Sequence, residues 1–153
     1  MKKIAIIGSG EHAKKIAFEI CKIKNYSLAG FIDEKIKIGS LTQKIKNKKL
    51  KVIDNLSGLN KNKYKKMNFV IGIGSNYKRF KVVEEIKRKK LKLRWCKIIS
   101  KNAIINGDVI IGDGSVIFSG AIIANESKIG EHCFIGPNTN LEHNNTFGNF
   151  SSC

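Results

Sequence analysis

Arginine is scarce in this sequence: three residues (Arg79, Arg88 and Arg94) stand against 26 lysines. Proteins that read nucleic acid lean on the planar, bidentate guanidinium. A net charge of +17 carried almost entirely by lysine therefore argues against a nucleic-acid partner. The skew, together with 25 Ile and 15 Asn, is what an AT-rich coding sequence produces. Also missing is any stretch of 18 or more apolar residues, which argues against a membrane-spanning helix. The opening Met1-Lys2-Lys3-Ile4-Ala5-Ile6-Ile7-Gly8 is basic, but its apolar run is too short for a signal peptide. The four cysteines, Cys21, Cys96, Cys133 and Cys153, contain no C-x-x-C pair. Their spacing suggests neither a zinc site nor a disulfide framework, so no metal is expected and a reducing, cytoplasmic setting is.

The charge is unevenly spread. Residues 1–98 hold 27 basic and 7 acidic side chains, whereas residues 99–153 hold 2 and 5. A solvated basic surface is the ordinary meaning of such a run, and it can also draw in an anionic substrate.

Two periodicities divide the chain. In residues 1–98 strands alternate with helices. Lys3 to Ile7 is a β-branched run suited to a buried parallel strand. Ala13 to Lys24 has Ile16, Ala17, Ile20, Cys21 and Ile23 at helical spacing. Leu28 to Ile32 is a second strand, and Asn68 to Gly74 another. Asn76 to Lys90 is a second helix with Phe80, Val83 and Ile86 on one face, and Leu91 to Ile98 reads as a last strand. The Lys- and Asn-rich stretch from Lys35 to Lys66 yields little. This order predicts a small parallel sheet covered by helices.

From Ile99 the period becomes six. Ile99, Ile105, Ile111, Ile117, Ile123, Ile129, Ile135, Leu141 and Phe147 open nine unbroken hexads, and each fifth position (Ala103, Val109, Ser115, Ala121, Ser127, Cys133, Thr139, Asn145, Ser151) is small or medium. Such a repeat predicts a triangular prism, with three hexads to a coil and three coils in residues 99–153. First positions fill the interior. The glycines frequent at second positions are expected to serve the turn.

Gly8-x-Gly10-x-x-Ala13 lies between a strand and a helix, with Asp33 at the end of the next strand. This fits a fingerprint in which glycines let backbone N–H groups approach a diphosphate at a helix N-terminus. Gly72-Ile73-Gly74-Ser75-Asn76 follows another strand and would line the same sheet edge. Cys133, at an inward small position, reads as packing, and His132 as a surface residue.

Gly8-Ser9-Gly10-Glu11-His12-Ala13-Lys14, Phe31-Ile32-Asp33-Glu34, Ile71-Gly72-Ile73-Gly74-Ser75-Asn76 and the hexads together resemble one bacterial family. It comprises the nucleotide-amino-sugar N-acetyltransferases and sialic-acid O-acetyltransferases that make surface sugars. The resemblance runs over essentially the whole chain, least in residues 35–66. It implies an α/β fold: a Rossmann-like nucleotide-sugar-binding domain (residues 1–98), then a left-handed parallel β-helix (residues 99–153). It also implies acetyl-CoA as co-substrate and a homotrimer with active sites between neighbours.

By the same resemblance Gly10, Glu11, His12, Asp33, Glu34 and Gly74 would hold a uridine diphosphate sugar. Glu11 replaces a small residue there, and a carboxylate suits a diphosphate only if it turns outward. Leu141-Glu142-His143-Asn144 matches the family's apolar-Glu-His-acid hexad. His143 would be the general base, pointing outward, and Asn144 stands where an acid normally raises the basicity of the ring. Ser152 occupies one acetyl-CoA position, usually histidine. Family members continue for further coils that bind most of acetyl-CoA, whereas this sequence stops at Cys153, so weak or no acetyl-CoA binding and negligible acetyl transfer are expected of these 153 residues. Other readings stay open: a non-catalytic nucleotide-sugar-binding or assembly protein, an inactive fragment of such an acetyltransferase, and an NAD-dependent oxidoreductase suggested by the glycine motif alone.

Overall fold

The computed structural model describes residues 1–45, 47–60 and 62–153. Its first half contains β1 (Lys2–Ile7), α1 (Glu11–Lys22), β2 (Tyr26–Ile32), β3 (Leu41–Ile45), β4 (Lys48–Asp54), β5 (Asn68–Ile71), α2 (Asn76–Arg88) and β6 (Arg94–Trp95). The strands form one sheet in the order β3-β4-β2-β1-β5-β6. Pairings are parallel except the β3–β4 hairpin. Because strand side chains alternate, β1 serves two cores. Ile4 and Ile6 pack on the α1 side, while Ala5 and Ile7 pack on the other with Val83 and Ile86 of α2.

The structure differs from the sequence reading here, first in the strand expected from Asn68 to Gly74, which ends at Ile71. Helix α1 begins two residues early, at Glu11, with Gly10 as its N-cap. The expected strand from Leu91 to Ile98 shrinks to Arg94–Trp95, which pair with Asn68 and Phe69 of β5. The stretch from Lys35 to Lys66 holds the hairpin and two short 3-10 helices. In β4 buried Leu50, Val52 and Asp54 alternate with Lys49, Lys51 and Ile53. That two-residue period is short and diluted by lysine.

The second half is a parallel β-helix. Nine two-residue strands follow: β7 (Ile98–Ile99), β8 (Ile104–Ile105), β9 (Ile110–Ile111), β10 (Val116–Ile117), β11 (Ile122–Ile123), β12 (Lys128–Ile129), β13 (Phe134–Ile135), β14 (Asn140–Leu141) and β15 (Thr146–Phe147). They stack as three sheets, β7-β10-β13, β8-β11-β14 and β9-β12-β15. Val116 sits between Ile98 and Phe134, each three hexads away. First positions line the interior, and Ser115, Ala121, Ser127 and Cys133 are buried beside them.

The expectation for the turn glycines is corrected. Left-handed backbone falls mainly on fourth positions, Gly114 (φ 74°), Gly120 (φ 77°), Glu126 (φ 59°), His132 (φ 54°), Asn138 (φ 57°), Asn144 (φ 59°) and Phe150 (φ 64°), with Gly107 (φ 61°) at a third position the exception. Second-position glycines answer a different need, the close approach of successive coils. A Cβ on Gly112 would lie 2.4 Å from the Gly130 carbonyl carbon.

The prism face built from β7, β10 and β13 meets the first half. Ile98, Val116 and Phe134, sixth positions on β7, β10 and β13, join Phe118 in a single core with Ile4, Ile6, Ile16 and Ile20. Helix α1 is thus held between the sheet and the prism. Each fully buried Ile or Phe there contributes about 1.5–3 kcal/mol. On the other two faces Ile104, Ile110 and Ile122 are exposed. Among the described residues no helix is long and apolar enough to cross a membrane. Because Ala121 is fully buried at an inward corner, Ala121→Leu should destabilise the fold by about 1–3 kcal/mol, the ordinary cost of overpacking. Denaturant unfolding checks this.

Candidate functional site

The strand-end motifs converge on a cleft of about 400 Å³ whose lining includes Gly8, Ser9, Gly10, Glu11, His12, Asp33, Glu34, Lys35, Gly72 and Gly74. The glycines have different reasons to be there. Gly8 is left-handed (φ 96°), and a Cβ on Gly72 would strike Ala13 at 2.6 Å, so the fold needs both. Gly10 has ordinary extended backbone (φ −74°, ψ −172°), and a Cβ on it would meet nothing within 4 Å. The fold does not require a glycine at position 10. Its missing side chain keeps open the space before the α1 N-terminus, where no side chain caps the helix. Uncapped N–H groups and the positive end of the helix dipole together favour an anion.

The acidic residues frame this cleft. Asp33 Oδ2 accepts from the Ser9 hydroxyl at 2.5 Å, and Oδ1 accepts from the Lys35 and Ile36 N–H groups at 2.9 and 3.2 Å. Glu34 Oε1 accepts from Leu56 N–H at 2.7 Å. Glu11 is 84% exposed and pairs with Lys14 at 2.5 Å, so its carboxylate is turned out to solvent. His12 stacks on Phe134, ring centroids 4.3 Å apart, and meets the Phe118 edge. Its buried Nε2 has no partner. Burial, then Arg79 and Lys15, lower its pKa to about 4, so it is neutral at physiological pH.

Arg79 is the residue that sequence reasoning missed. It is fully buried, and its partners span the molecule. Nε donates to His132 O at 2.8 Å, and Nη1 donates to Ile73 O and Gly74 O at 2.9 and 3.0 Å. Nη2 donates to Phe150 O at 2.7 Å, Ser152 Oγ at 2.8 Å and Asn76 Oδ1 at 3.1 Å. The guanidinium also lies 3.9 Å from the Phe134 ring centroid. One side chain therefore ties the cleft loop at Ile73–Gly74 to the last two coils of the prism. The available signal was an arginine four residues after the Ser75 N-cap in a chain that otherwise uses lysine, since only the planar fork satisfies several fixed acceptors at once.

His132 is corrected from surface to interior. It is 2% exposed, edge-on to Trp95 and stacked on Phe150, with Nδ1 unpartnered. Burial, then Arg79 and Lys87, lower its pKa to about 4, against a smaller raising effect of Asp113.

His143 lies on the turn between β14 and β15, exposed, with Nδ1 2.9 Å from Asn144 Nδ2. That corner joins the two sheets whose sixth positions are exposed, and among the described residues none beyond Val82 lines the cleft. Within one chain the structure does not bring His143 and the cleft together. Ser152 lies elsewhere again, bridged to Phe134 on the docked face, where its hydroxyl donates to Asn76 Oδ1 at 2.8 Å. Among the described residues no group of three or more His, Cys, Asp or Glu is placed to hold a metal.

Comparison with known proteins agrees with this fold. The family described as PglD N-terminal domain matches residues 3–86, and the bacterial transferase hexapeptide (six repeats) matches residues 108–143. The chain belongs to the PglD N-terminal domain family. No curated protein matches it. Among solved structures, the acetyltransferase domain of PglB from Neisseria gonorrhoeae FA1090 is 20% identical, with a TM-score of 0.81 over 99% of this chain and 70% of that one. PerB from Caulobacter crescentus, solved with CoA and GDP-perosamine, is 20% identical, with a TM-score of 0.82 over 99% and 68%. WeeI from Acinetobacter baumannii AYE is 18% identical, with a TM-score of 0.77 over 99% and 69%. At these identities the likeness speaks for the fold, and with the hexapeptide match it makes the β-helix left-handed.

Two predictions follow from the buried cations and rings. Arg79→Met should lower stability by about 3–5 kcal/mol, because several buried carbonyls lose their donor at about 1–3 kcal/mol each before relaxation, and Arg79→Lys should recover only part; urea unfolding reads both. His12 and His132 titrate near 4 when folded and near 6.5 when unfolded. Above pH 6.5 neither state takes up protons at them. Between 6.5 and 4 the unfolded state binds more, so stability falls as pH drops through that window. The double variant His12→Gln, His132→Asn should show a shallower decline in thermal stability over the same range.

Proposed function

We propose that the protein transfers an acetyl group from acetyl-CoA to an amine or hydroxyl of a nucleotide-linked amino sugar or a sialic acid. The observation that carries this is Gly10: an open position at an uncapped helix N-terminus, unneeded by the fold, in a cleft at the ends of parallel strands. Membership of the PglD N-terminal domain family and the hexapeptide match support the reading further, as do the fold relatives crystallised with acetyl coenzyme A, or with CoA and GDP-perosamine. They favour it over an NAD-dependent oxidoreductase.

His143 is the base in this scheme. It removes the proton from the acceptor nitrogen or oxygen as that atom attacks the thioester carbonyl and the CoA thiolate leaves. For Nε2 to hold the free lone pair, Nδ1 must carry the hydrogen. Asn144 supports that tautomer once its amide is turned so that Oδ1 accepts from Nδ1–H, and amide orientation is freely exchangeable. Asn144→Asp would fix the acceptor and add a charge that strengthens the base.

The separation of His143 from the cleft supports a homotrimer in which one chain's prism brings its histidine to the next chain's cleft. One heterologous contact repeated three times closes such a ring. Exposed Ile104, Ile110 and Ile122 suit the packed faces. In the assembled enzyme His143→Ala should lower kcat about 10²–10⁴-fold, and a loss under threefold would remove His143 from the chemistry. Gly10→Val should leave the thermal midpoint near that of the parent while weakening nucleotide-sugar binding roughly 10–100-fold, since filling occupied space costs about 1–3 kcal/mol. Calorimetric titration with UDP- and GDP-sugars, and with NAD as the rival ligand, is the check.

A further inference from the structure

Between Glu34 and Asp54 lie nineteen residues with seven lysines, no acidic residue, no arginine and no aromatic. The fold turns most of this stretch into the β3–β4 edge of the sheet. Cross-strand partners share a face of a sheet, and Leu41 is opposite Lys51 while Lys44 is opposite Lys49. Lys49 and Lys51 are two apart on β4, so Leu41, Lys44, Lys49 and Lys51 stand on one face. It is the outward face, because Leu50 and Val52 between them are buried. Among the described residues Lys44, Lys49 and Lys51 form no ion pair.

Apolar side chains accompany the charge. Leu41 is 56% exposed, and on the loop just before it Ile36 and Ile38 are 45% and 52% exposed, interleaved with exposed Lys35 and Lys37. That loop is pinned beside β4, where Gly39 N–H donates to Val52 O and Val52 N–H donates to Ser40 O. Lysine on an edge strand can serve simply to prevent pairing with another sheet. That purpose accounts for Lys44 on β3. It does not account for a leucine on the same face and two isoleucines beside it, which would promote association.

We propose that this face attaches the protein to an anionic lipid surface, the lysines meeting headgroups while Ile36, Ile38 and Leu41 enter the interface. Lipid fits better than nucleic acid, because a nucleic-acid surface would use arginine forks and stacking aromatics, and this stretch has neither. Glu34 and Lys35 lie at once on the cleft rim and at the start of the stretch, so attachment would bring the cleft close to the membrane plane. The proposal does not depend on the acetyl-transfer reading.

Sedimentation of the whole protein with vesicles tests it. Vesicles of phosphatidylcholine mixed with phosphatidylglycerol should pellet the protein, pure phosphatidylcholine should not, and salt should weaken the attachment. Each lysine near such a surface strengthens binding about fivefold. Replacing Lys44, Lys49 and Lys51 by Gln should therefore weaken it by roughly a hundredfold. Ile36→Ser, Ile38→Ser and Leu41→Ser together should weaken vesicle binding without changing retention on duplex DNA. Thermal melts of each variant establish that the fold is kept. Equal pelleting on neutral vesicles, an undiminished affinity of the folded lysine variant, or tight DNA binding that displaces the vesicles would each overturn the proposal.

Discussion

A buried guanidinium, with no carboxylate partner among the described residues, holds the two halves of this molecule in register. Arg79 loses hydration in the interface, and that desolvation lowers its pKa to about 10, still far above neutrality. What replaces water is a ring of oxygens from Ile73, Gly74, Asn76, His132, Phe150, Ser151 and Ser152. The carbonyls come from a strand-end loop and from prism corners; that of Ser151 also accepts from the Phe134 N–H, while those of Ile73, Gly74, His132 and Phe150 rely on the arginine. Each would cost about 1–3 kcal/mol if left buried and unpaired. The arginine and these backbone corners therefore need each other. The consequence for the cleft is direct, because the Ile73–Gly74 loop on its rim is fastened to the prism and cannot move independently of it.

Around that contact the apolar terms agree with the polar ones. Phe134 occupies a sixth position on the docked face, where it receives the His12 ring and the Arg79 guanidinium. The neighbouring sheets have Ile104, Ile110, Ile122, Lys128, Asn140 and Thr146 at sixth positions, all exposed. Sixth positions thus decide what each face of the prism meets, while first positions only build its interior. A neutral His12 matters in this setting, since a second positive charge near Arg79 would be repelled at low dielectric.

The hexad period was plain in the sequence because it runs through nine units without interruption, and it specified rung spacing, interior and small corners. The reason for the glycines was not plain. Gly112 and Gly114 are both glycine, yet one answers close approach between coils and the other left-handed backbone. Glu126, His132, Asn138, Asn144 and Phe150 adopt the same backbone without being glycine, so composition alone hides the role. His132 looked like surface because outward positions are usually wet; the docked half covers this one, and that depends on long-range packing. The cleft motif was legible because strand-end glycines follow from local chain geometry. That Gly10 keeps space open while Gly8 and Gly72 serve the fold required coordinates. The hairpin escaped because lysines dilute its alternation.

These features give a protein whose cleft and histidine face different directions, and the proposed acetyl transfer needs them to meet across a subunit boundary. Mixing two variants reads this directly. His143→Ala keeps the cleft, Gly10→Val keeps the base, and with the nucleotide sugar held well below the Kd of the Gly10→Val variant each alone should turn over at roughly a tenth of the parent rate or less. In trimers reassembled from equal amounts of the two, about a quarter of the sites would pair an intact cleft with a neighbour's intact histidine, and activity should return to that fraction of the parent. A mixture as inactive as its components would contradict a shared site.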